Sequence, residues 1–227
     1  MSKRSLAALG VIGVSTAAVV LSTSPAFATS SDVLSAGAAN TAGTNVATTD
    51  TLSGSLASGT TNSFSFTSGG KTVTIVCSAA SMAAKATSNP TSPGTAGLSI
   101  STLTFTSCTI SGLSGVTVSS VQLNGAATAN VTSSPKDFNV TALDERVALN
   151  NGLGLVYCDY GNTATESAIV GTILNPGSGG TITFSNQTVH LLSGTSVCGA
   201  SGSTGVFNMT LSSIVDTTQS SKLVYDN

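Results

Sequence analysis

Apolar residues alternate with serine and threonine in two stretches of the chain, and a cysteine ends each stretch. The first covers residues 72–77 and the second residues 98–108. A period of two places successive side chains on opposite faces of an extended strand. The pattern therefore predicts two β-strands with an apolar face toward a core, a hydroxyl face toward water, and a disulfide at their ends.

The same alternation recurs in short segments along most of the chain, with glycine, proline and asparagine in the turns between them. The predicted strands cover residues 51–57, 62–67, 72–77, 81–87, 98–108, 116–123, 126–132, 138–141, 153–160, 167–174, 181–184, 188–192, 204–211 and 223–225. We expect the first and the last to lie at sheet edges. Many short strands at regular spacing predict an all-β fold, either an antiparallel β-sandwich or a partly closed barrel.

Residues 141–151 fit two kinds of element. The segment starts like a capped helix, with Asp144 and Glu145 in its first turn and Asn-Gly at its end. It fits a strand equally well, so both assignments stay open.

The N-terminus has the pattern of a secretory signal peptide. Lys3 and Arg4 precede an apolar run over 6–21, and Ala-Phe-Ala at 26–28 offers small residues for cleavage after Ala28. The apolar run is short for a membrane span, and no later run is long enough for one. We therefore expect a signal peptide at 1–28 and a secreted, extracellular or cell-envelope location.

The rest of the chain divides by composition. Residues 29–50 are rich in Ala, Ser, Thr and Gly and are predicted to form a flexible leader. Residues 51–227 are predicted to form a single β-domain. Cleavage would leave roughly 200 residues, which is enough for one domain with a sizeable core.

The chain contains four cysteines, Cys77, Cys108, Cys158 and Cys198. An even number in an exported chain usually means disulfides, and three pairings are possible. We favour Cys77–Cys108 and Cys158–Cys198 because each closes a local loop. No closely spaced pair of the C-x-x-C type is present, so a structural zinc site is not expected.

Charged residues make up 7% of the chain, against about 25% in ordinary soluble domains. Hydroxyl groups must therefore keep most of the surface hydrated. The formal net charge is −2 and no basic patch is present, so nucleic acid is not an expected partner.

Four short segments, together with the signal peptide, resemble a group of exported β-rich proteins of actinobacteria that lack an assigned function. They are Val-Cys-Ser at 76–78, Leu-Thr-Phe-Thr-Ser-Cys at 103–108, Cys-Asp-Tyr at 158–160 and Ser-Val-Cys-Gly at 196–199. The resemblance implies an exported, disulfide-bonded β-protein and carries no activity or site residues. Such chains often hold a tryptophan just before the second cysteine; here we expect Phe105 to take that core position.

Catalytic chemistry finds little support among the polar residues. A hydrolase would combine the single histidine, His190, with a serine and with Asp159 or Asp216, but no G-x-S-x-G motif is present. Paired carboxylates could support glycoside hydrolysis. Asp144 and Glu145 are adjacent, however, and point in different directions on either kind of element. Asp159 with Glu166 across a turn would ordinarily be solvated.

Sugar binding usually needs exposed aromatic rings, and Tyr157 and Tyr160 are the only local pair. They lie three residues apart, so they face opposite sides of a strand and at most one can line a given face.

These observations predict an exported, non-enzymatic envelope or extracellular protein that acts by structure or by surface adhesion. The alternative is a carbohydrate- or cell-wall-binding module, and a secreted hydrolase using His190 is a third hypothesis. The expected partners are cell-wall polysaccharide or another envelope protein. We expect no catalytic residue, cofactor or metal site, and no transmembrane span in the mature chain.

Overall fold

A computed structural model describes residues 31–163, 168–175 and 180–227. The predicted signal peptide at 1–28 lies outside these residues, as does Glu166. Within the described ranges the regular structure is almost entirely antiparallel strand, with two single-turn 3₁₀ segments at Asn40–Ala42 and Ser196–Cys198. This confirms the predicted all-β fold.

Fifteen strands follow one another over the described residues. In order they are β1 Leu34–Ala36, β2 Thr44–Asn45, β3 Thr51–Leu56, β4 Asn62–Ser68, β5 Lys71–Ser88, β6 Thr95–Ser111, β7 Thr117–Leu123, β8 Ala127–Ser133, β9 Lys136–Thr141, β10 Asp144–Asn150, β11 Leu155–Gly161, β12 Ile169–Leu174, β13 Thr181–Ser193, β14 Thr204–Asp216 and β15 Lys222–Asp226.

The strands form one hydrogen-bonded sheet that closes on itself twice. One ring runs β3-β5-β6-β8-β9-β12-β13-β14 and back to β3. The other runs β4-β5-β6-β7-β10-β11-β13-β14 and back to β4. Both rings share β5, β6, β13 and β14, which have 18, 17, 13 and 13 residues. The four long strands thus join two ring-shaped halves.

The core is the continuous interior of the two rings, where alternate residues of every long strand are buried. Phe207, on a shared strand, makes edge-to-face contacts with Phe105 and Phe184, at ring-centroid distances of 6.4 and 6.0 Å. Phe105 is 3% exposed and so occupies the predicted core position. Two apolar cavities in this interior have volumes of about 20 and 30 Å³. Side chains therefore fill the rings closely.

Two disulfides join the cysteines as predicted. Cys77 and Cys108 lie directly opposite each other on β5 and β6, with their Cα atoms 4.0 Å apart. Cys158 on β11 binds Cys198 in the second 3₁₀ turn, with a Cα separation of 5.4 Å. Each bond ties together segments that are close in sequence.

The N-terminal segment differs from the prediction of a flexible leader. Over 31–50, strand β1 pairs with β15 and β2 pairs with β1. Val33, Leu34, Ala36 and Val46 are each 4% exposed or less. Four apolar residues spaced among small polar ones are therefore enough to pack this segment once a neighbouring strand is available.

Several predicted elements change their extent or their position in the sheet. Residues 141–151 hold strand β10, with no helix. The segments predicted at 72–77 and 81–87 are parts of the single strand β5. Strands β3 and β15, expected at edges, have neighbours on both sides. Edge position depends on partners far along the chain, which local alternation does not report.

Candidate functional site

The outer face of β7, β10, β11 and β13 carries a polar cluster that includes Asp159. Residues paired across neighbouring strands share a face. The pairing aligns one row, Gln122–Arg146–Asp159–Ser193, across the four strands. It aligns a second row, Ser120–Ala148–Tyr157, across three of them. Alternation along β11 turns Cys158 and Tyr160 to the interior.

Arg146 and Asp159 form a two-pronged ion pair. Arg146 Nε donates to Asp159 Oδ1 at 2.8 Å, and Nη2 donates to Oδ2 at 2.9 Å. Ser193 Oγ also donates to Oδ2, at 2.8 Å. The hydrogen bonds from Arg146, with that from Ser193, lower the pKa of Asp159. The carboxylate therefore stays ionised and holds the guanidinium in a fixed orientation.

Tyr157 lies beside this ion pair with its ring in water. The guanidinium carbon of Arg146 is 5.4 Å from the centroid of the Tyr157 ring, within the range of a cation–π contact. Tyr157 is 48% exposed, and its strand neighbour Leu155 is 50% exposed. Leu192, which is 41% exposed, packs over the backbone of Gly161.

These five residues, Arg146, Leu155, Tyr157, Asp159 and Leu192, form what we call the Tyr157 patch. Apolar atoms exposed around a rigid, charged anchor are typical of contact surfaces. Arginine and tyrosine are also enriched among residues that dominate binding energy.

Asp144 lies at the border of the patch. Asn124 Nδ2 donates to Asp144 Oδ2 at 2.9 Å, while Oδ1 is buried without a hydrogen-bond partner. Burial raises the pKa of Asp144 despite the hydrogen bond from Asn124 and the nearby charge of Arg146, both of which lower it.

A cleft opens beside the patch, within the hairpin of β6 and β7. Residues 104–108 and 118–122 line it, and its volume is about 560 Å³. The two strands pair only at Thr104–Gln122 and Phe105–Val121. Beyond those pairs β6 continues along β5, and β7 continues along β10. We call this opening the hairpin cleft.

The interior behind the patch contains Glu145, which the sequence analysis did not place there. Glu145 is 4% exposed and lies opposite Leu123 on β7 and Tyr160 on β11. Burial raises its pKa to about 8. The sequence does contain a signal for this position, since Glu145 alternates with the apolar Val147 and Leu149 once the segment is taken as a strand.

Tyr160 is fully embedded in the same interior. It is 2% exposed, and its hydroxyl donates to the carbonyl oxygen of Cys198. Its ring makes an edge contact with Phe64 at 4.5 Å. Burial raises the pKa of its hydroxyl. Tyr157 and Tyr160 therefore face opposite sides, as predicted, and Tyr157 is the exposed one.

Of the groups considered for catalysis, Asp159 and His190 lie on the neighbouring strands β11 and β13, whereas Asp216 and Glu145 lie elsewhere in the fold. Asp159 binds Arg146 and Ser193, as described above. Asp216 is buried at the end of β14, where its Oδ1 accepts from the backbone N–H groups of Thr218 and Gln219. His190 lies on β13 opposite Gly161. Asp144 and Glu145 point to opposite faces of β10, as predicted.

Within 31–163, 168–175 and 180–227, no group of three or more His, Cys, Asp or Glu side chains could hold a metal ion. Over the same residues, no helix is long and apolar enough to cross a membrane.

The comparisons with known proteins return no family model, no curated protein and no solved structure similar to this chain.

Proposed function

We propose that the protein is an exported, non-enzymatic protein of the cell envelope or extracellular space that works by surface adhesion, with the Tyr157 patch as its contact surface. The observation that carries this function is the exposed tyrosine and leucine surface around the Arg146–Asp159 pair. Three hydrogen bonds fix Arg146, Asp159 and Ser193, so these polar groups lose little side-chain freedom on binding.

Export is supported by the predicted signal peptide and by the two disulfides. Disulfides persist in oxidising surroundings outside the cytoplasm. Every cysteine of the chain takes part in one of them.

Because charged groups are scarce at the patch, the proposed adhesion should depend little on salt concentration. Contacts between charged surfaces weaken as salt screens them. The Tyr157 patch instead offers apolar groups and one internally neutralised ion pair. Adhesion through it should change little between about 0.05 and 0.5 M salt, a range over which the screening length falls severalfold.

Binding of the purified protein to intact envelopes of the producing organism tests the function. We expect Tyr157→Ala and Leu155→Ser each to weaken binding at least about tenfold, since each removes exposed contact area at the patch. Leu174→Ser is the matched control, because Leu174 is 60% exposed on β12, away from the patch. Equal binding by all variants would show that the patch is not the contact surface.

Carbohydrate or cell-wall binding is the second candidate. The exposed Tyr157 ring, with a carboxylate and the hydroxyl of Ser193 beside it, is the arrangement that stacks and hydrogen-bonds sugars. Repeating the assay on wall polysaccharide stripped of protein separates the two candidates. Retained binding favours the wall-binding module, and lost binding favours adhesion to an envelope protein.

A further inference from the structure

We propose that the hairpin cleft is a binding site for a neutral saccharide unit. The site adjoins the Tyr157 patch but shares no residue with it. This proposal rests on the second candidate function, carbohydrate binding, and specifies a place and a ligand class for it.

The cleft exists because its two strands are held by other neighbours. Cys108 is bonded to Cys77, and the β6 ladder continues along β5 as far as Ser111. Val118 is paired with Leu149 on the opposite side of the hairpin. Ser107 has a positive φ of 53°, which turns β6 at the point where the strands diverge. The opening is thus part of the fold, and a change of side-chain rotamer would not close it.

The lining of the cleft defines the ligand chemistry. Its polar side chains are hydroxyls and one amide, and they belong to Thr104, Thr106, Ser107, Ser119, Ser120 and Gln122. Its buried floor is apolar, with Phe105 and Val121 each 3% exposed. No residue of the lining is charged. Uncharged donors and acceptors over an apolar floor complement a molecule that has hydroxyl groups on its edges and C–H groups on its faces.

Backbone groups add to this capacity. Residues 106–108 and 118–120 have no ladder partner across the opening. Their N–H and C=O groups on that side are therefore available to a ligand or to water. A volume of about 560 Å³ lies within the range of roughly 300–1,000 Å³ that is usual for small-molecule sites.

Other ligand classes fit less well. A charged molecule would lose hydration without gaining a counter-charge from the lining. An added β-strand would meet the paired residues Thr104 and Gln122 at one end of the opening and the 112–116 connection at the other. A compact, neutral, polyhydroxylated group meets neither obstacle.

The cleft is continuous with the Tyr157 patch. Gln122 on its rim pairs with Arg146, and Ser120 is two strands away from Tyr157 in the second row. Two strand spacings correspond to about 10 Å. An oligosaccharide seated in the cleft can therefore extend toward the exposed tyrosine ring, so a chain of several sugars should bind more tightly than one sugar.

Titration of the ¹⁵N-labelled mature protein by NMR tests the site. The probes are neutral oligomers of glucose and of N-acetylglucosamine, one to four units long, and an oligomer of glucuronic acid as the charged comparison. We expect shift changes that map to 104–108 and 118–122, with affinity rising with the length of the neutral oligomers. Thr106→Phe should fill the cleft and weaken binding at least about tenfold, a loss of about 1.4 kcal/mol.

Thr188→Phe is the matched control, because Thr188 is an exposed strand residue outside the cleft. The proposed saccharide site would be wrong if no neutral oligomer bound at 10 mM, which is about the weakest binding worth detecting. It would also be wrong if the glucuronic acid oligomer bound as tightly as the neutral ones, or if Thr106→Phe and Thr188→Phe had the same effect on binding. Shift changes confined to Tyr157 and its neighbours would show that the cleft is not the saccharide site, while wall binding by the Tyr157 patch would still stand. If Thr106→Phe weakens saccharide binding but leaves adhesion to envelopes unchanged, the cleft binds saccharide and a different surface provides the adhesion.

Discussion

Glu145 is a carboxylic acid enclosed by an apolar interior. It faces Leu123 and Tyr160 inside the ring formed by β4, β5, β6, β7, β10, β11, β13 and β14. A carboxylate at this position would have neither hydration nor a neighbouring cation. Burial therefore raises the pKa of Glu145 from 4.5 to about 8. The side chain is therefore neutral in the folded protein at pH 7.

This pKa makes the free energy of unfolding depend on pH. Between pH 4.5 and about 8, the folded state retains a proton at Glu145 that the unfolded state releases. Stability from this group is complete below the lower value, and it falls by about 1.4 kcal/mol per pH unit toward the upper one. Urea unfolding at pH 6, 7 and 8, roughly within the titration interval, should show this decline in the wild type and a much shallower one in Glu145→Gln.

The slope is the informative quantity, because any change in stability caused by the glutamine amide itself does not vary with pH. Burial also raises the pKa of Asp226, which Lys136 lowers in part. Asp226→Asn is therefore a suitable comparison for Glu145→Gln, because it removes another carboxyl group whose pKa is raised by burial. Parallel slopes in the wild type and Glu145→Gln would show that Glu145 does not control this dependence.

Local alternation could predict the faces of Tyr157 and Tyr160, since a period of two decides them once the strand is assigned. It could not reveal the Arg146–Asp159 pair. Those residues are 13 positions apart in the chain and meet only because β10 and β11 pair in one particular register. The same register places Glu145 against Tyr160.

At the scale of single elements, the two disulfides have different tasks. Cys77–Cys108 joins two strands that are already paired, at the edge of the hairpin cleft. Cys158–Cys198 anchors a short 3₁₀ turn to β11. The hydrogen bond from Tyr160 to the Cys198 carbonyl holds the same turn independently.

Removing the disulfides one at a time should separate these tasks. In the chain-entropy model, each loss lowers the free energy of unfolding by at most about 3.5–4 kcal/mol. Replacing both Cys77 and Cys108 by alanine should also speed amide hydrogen exchange over 106–111, because this part of β6 has no strand partner on the β7 side and would then be held by the β5 ladder alone. The double alanine variant at Cys158 and Cys198 is the control and should leave that exchange unchanged. Equal exchange in both variants would contradict the assigned role of Cys77–Cys108.

The lengths of the strands were harder to predict than their presence. The sequence predicts separate strands at 181–184 and 188–192, but β13 continues through Asn186 with a bulge and a positive φ of 50°. Ser107 also has a positive φ, of 53°, while β6 stays in register with β5 on either side of it. Polar residues inside a strand can mark a bulge as well as a turn, and only the partner strand distinguishes them.

At the scale of the whole molecule, ring closure depends on contacts between distant segments. Strand β14 pairs with β3 and β4 near the start of the described chain and with β13 and β15 near its end. The sequence could predict an all-β class from alternation and turn residues. It could not predict which strands meet, because a two-residue period is the same for every partner.

The packing of the N-terminal segment, residues 31–50, also depends on contacts with distant parts of the chain. Asn89, in the connection after β5, holds this segment with three hydrogen bonds. Its Oδ1 accepts from Leu34 N, and its Nδ2 donates to the carbonyls of Leu34 and Val46, each at 2.8 Å. Asn227 Nδ2 donates to Asp32 O at 2.8 Å. The segment is thus fastened at both ends to residues distant in sequence.

Replacing Asn89 by alanine should therefore loosen residues 31–50 before the rings unfold. Leu34 N and Val46 O would lose their partner, at a cost of about 1–3 kcal/mol for each group left buried and unsatisfied, whereas Leu34 O would keep its hydrogen bond from Val46 N. Limited proteolysis should cut this segment much faster in Asn89→Ala, with cleavage elsewhere unchanged at first. Asn130→Ala is the matched control, because Asn130 is exposed on β8. If the segment is cut equally fast in the wild type, it behaves as the flexible leader predicted from composition, and its packing against β15 contributes little to stability.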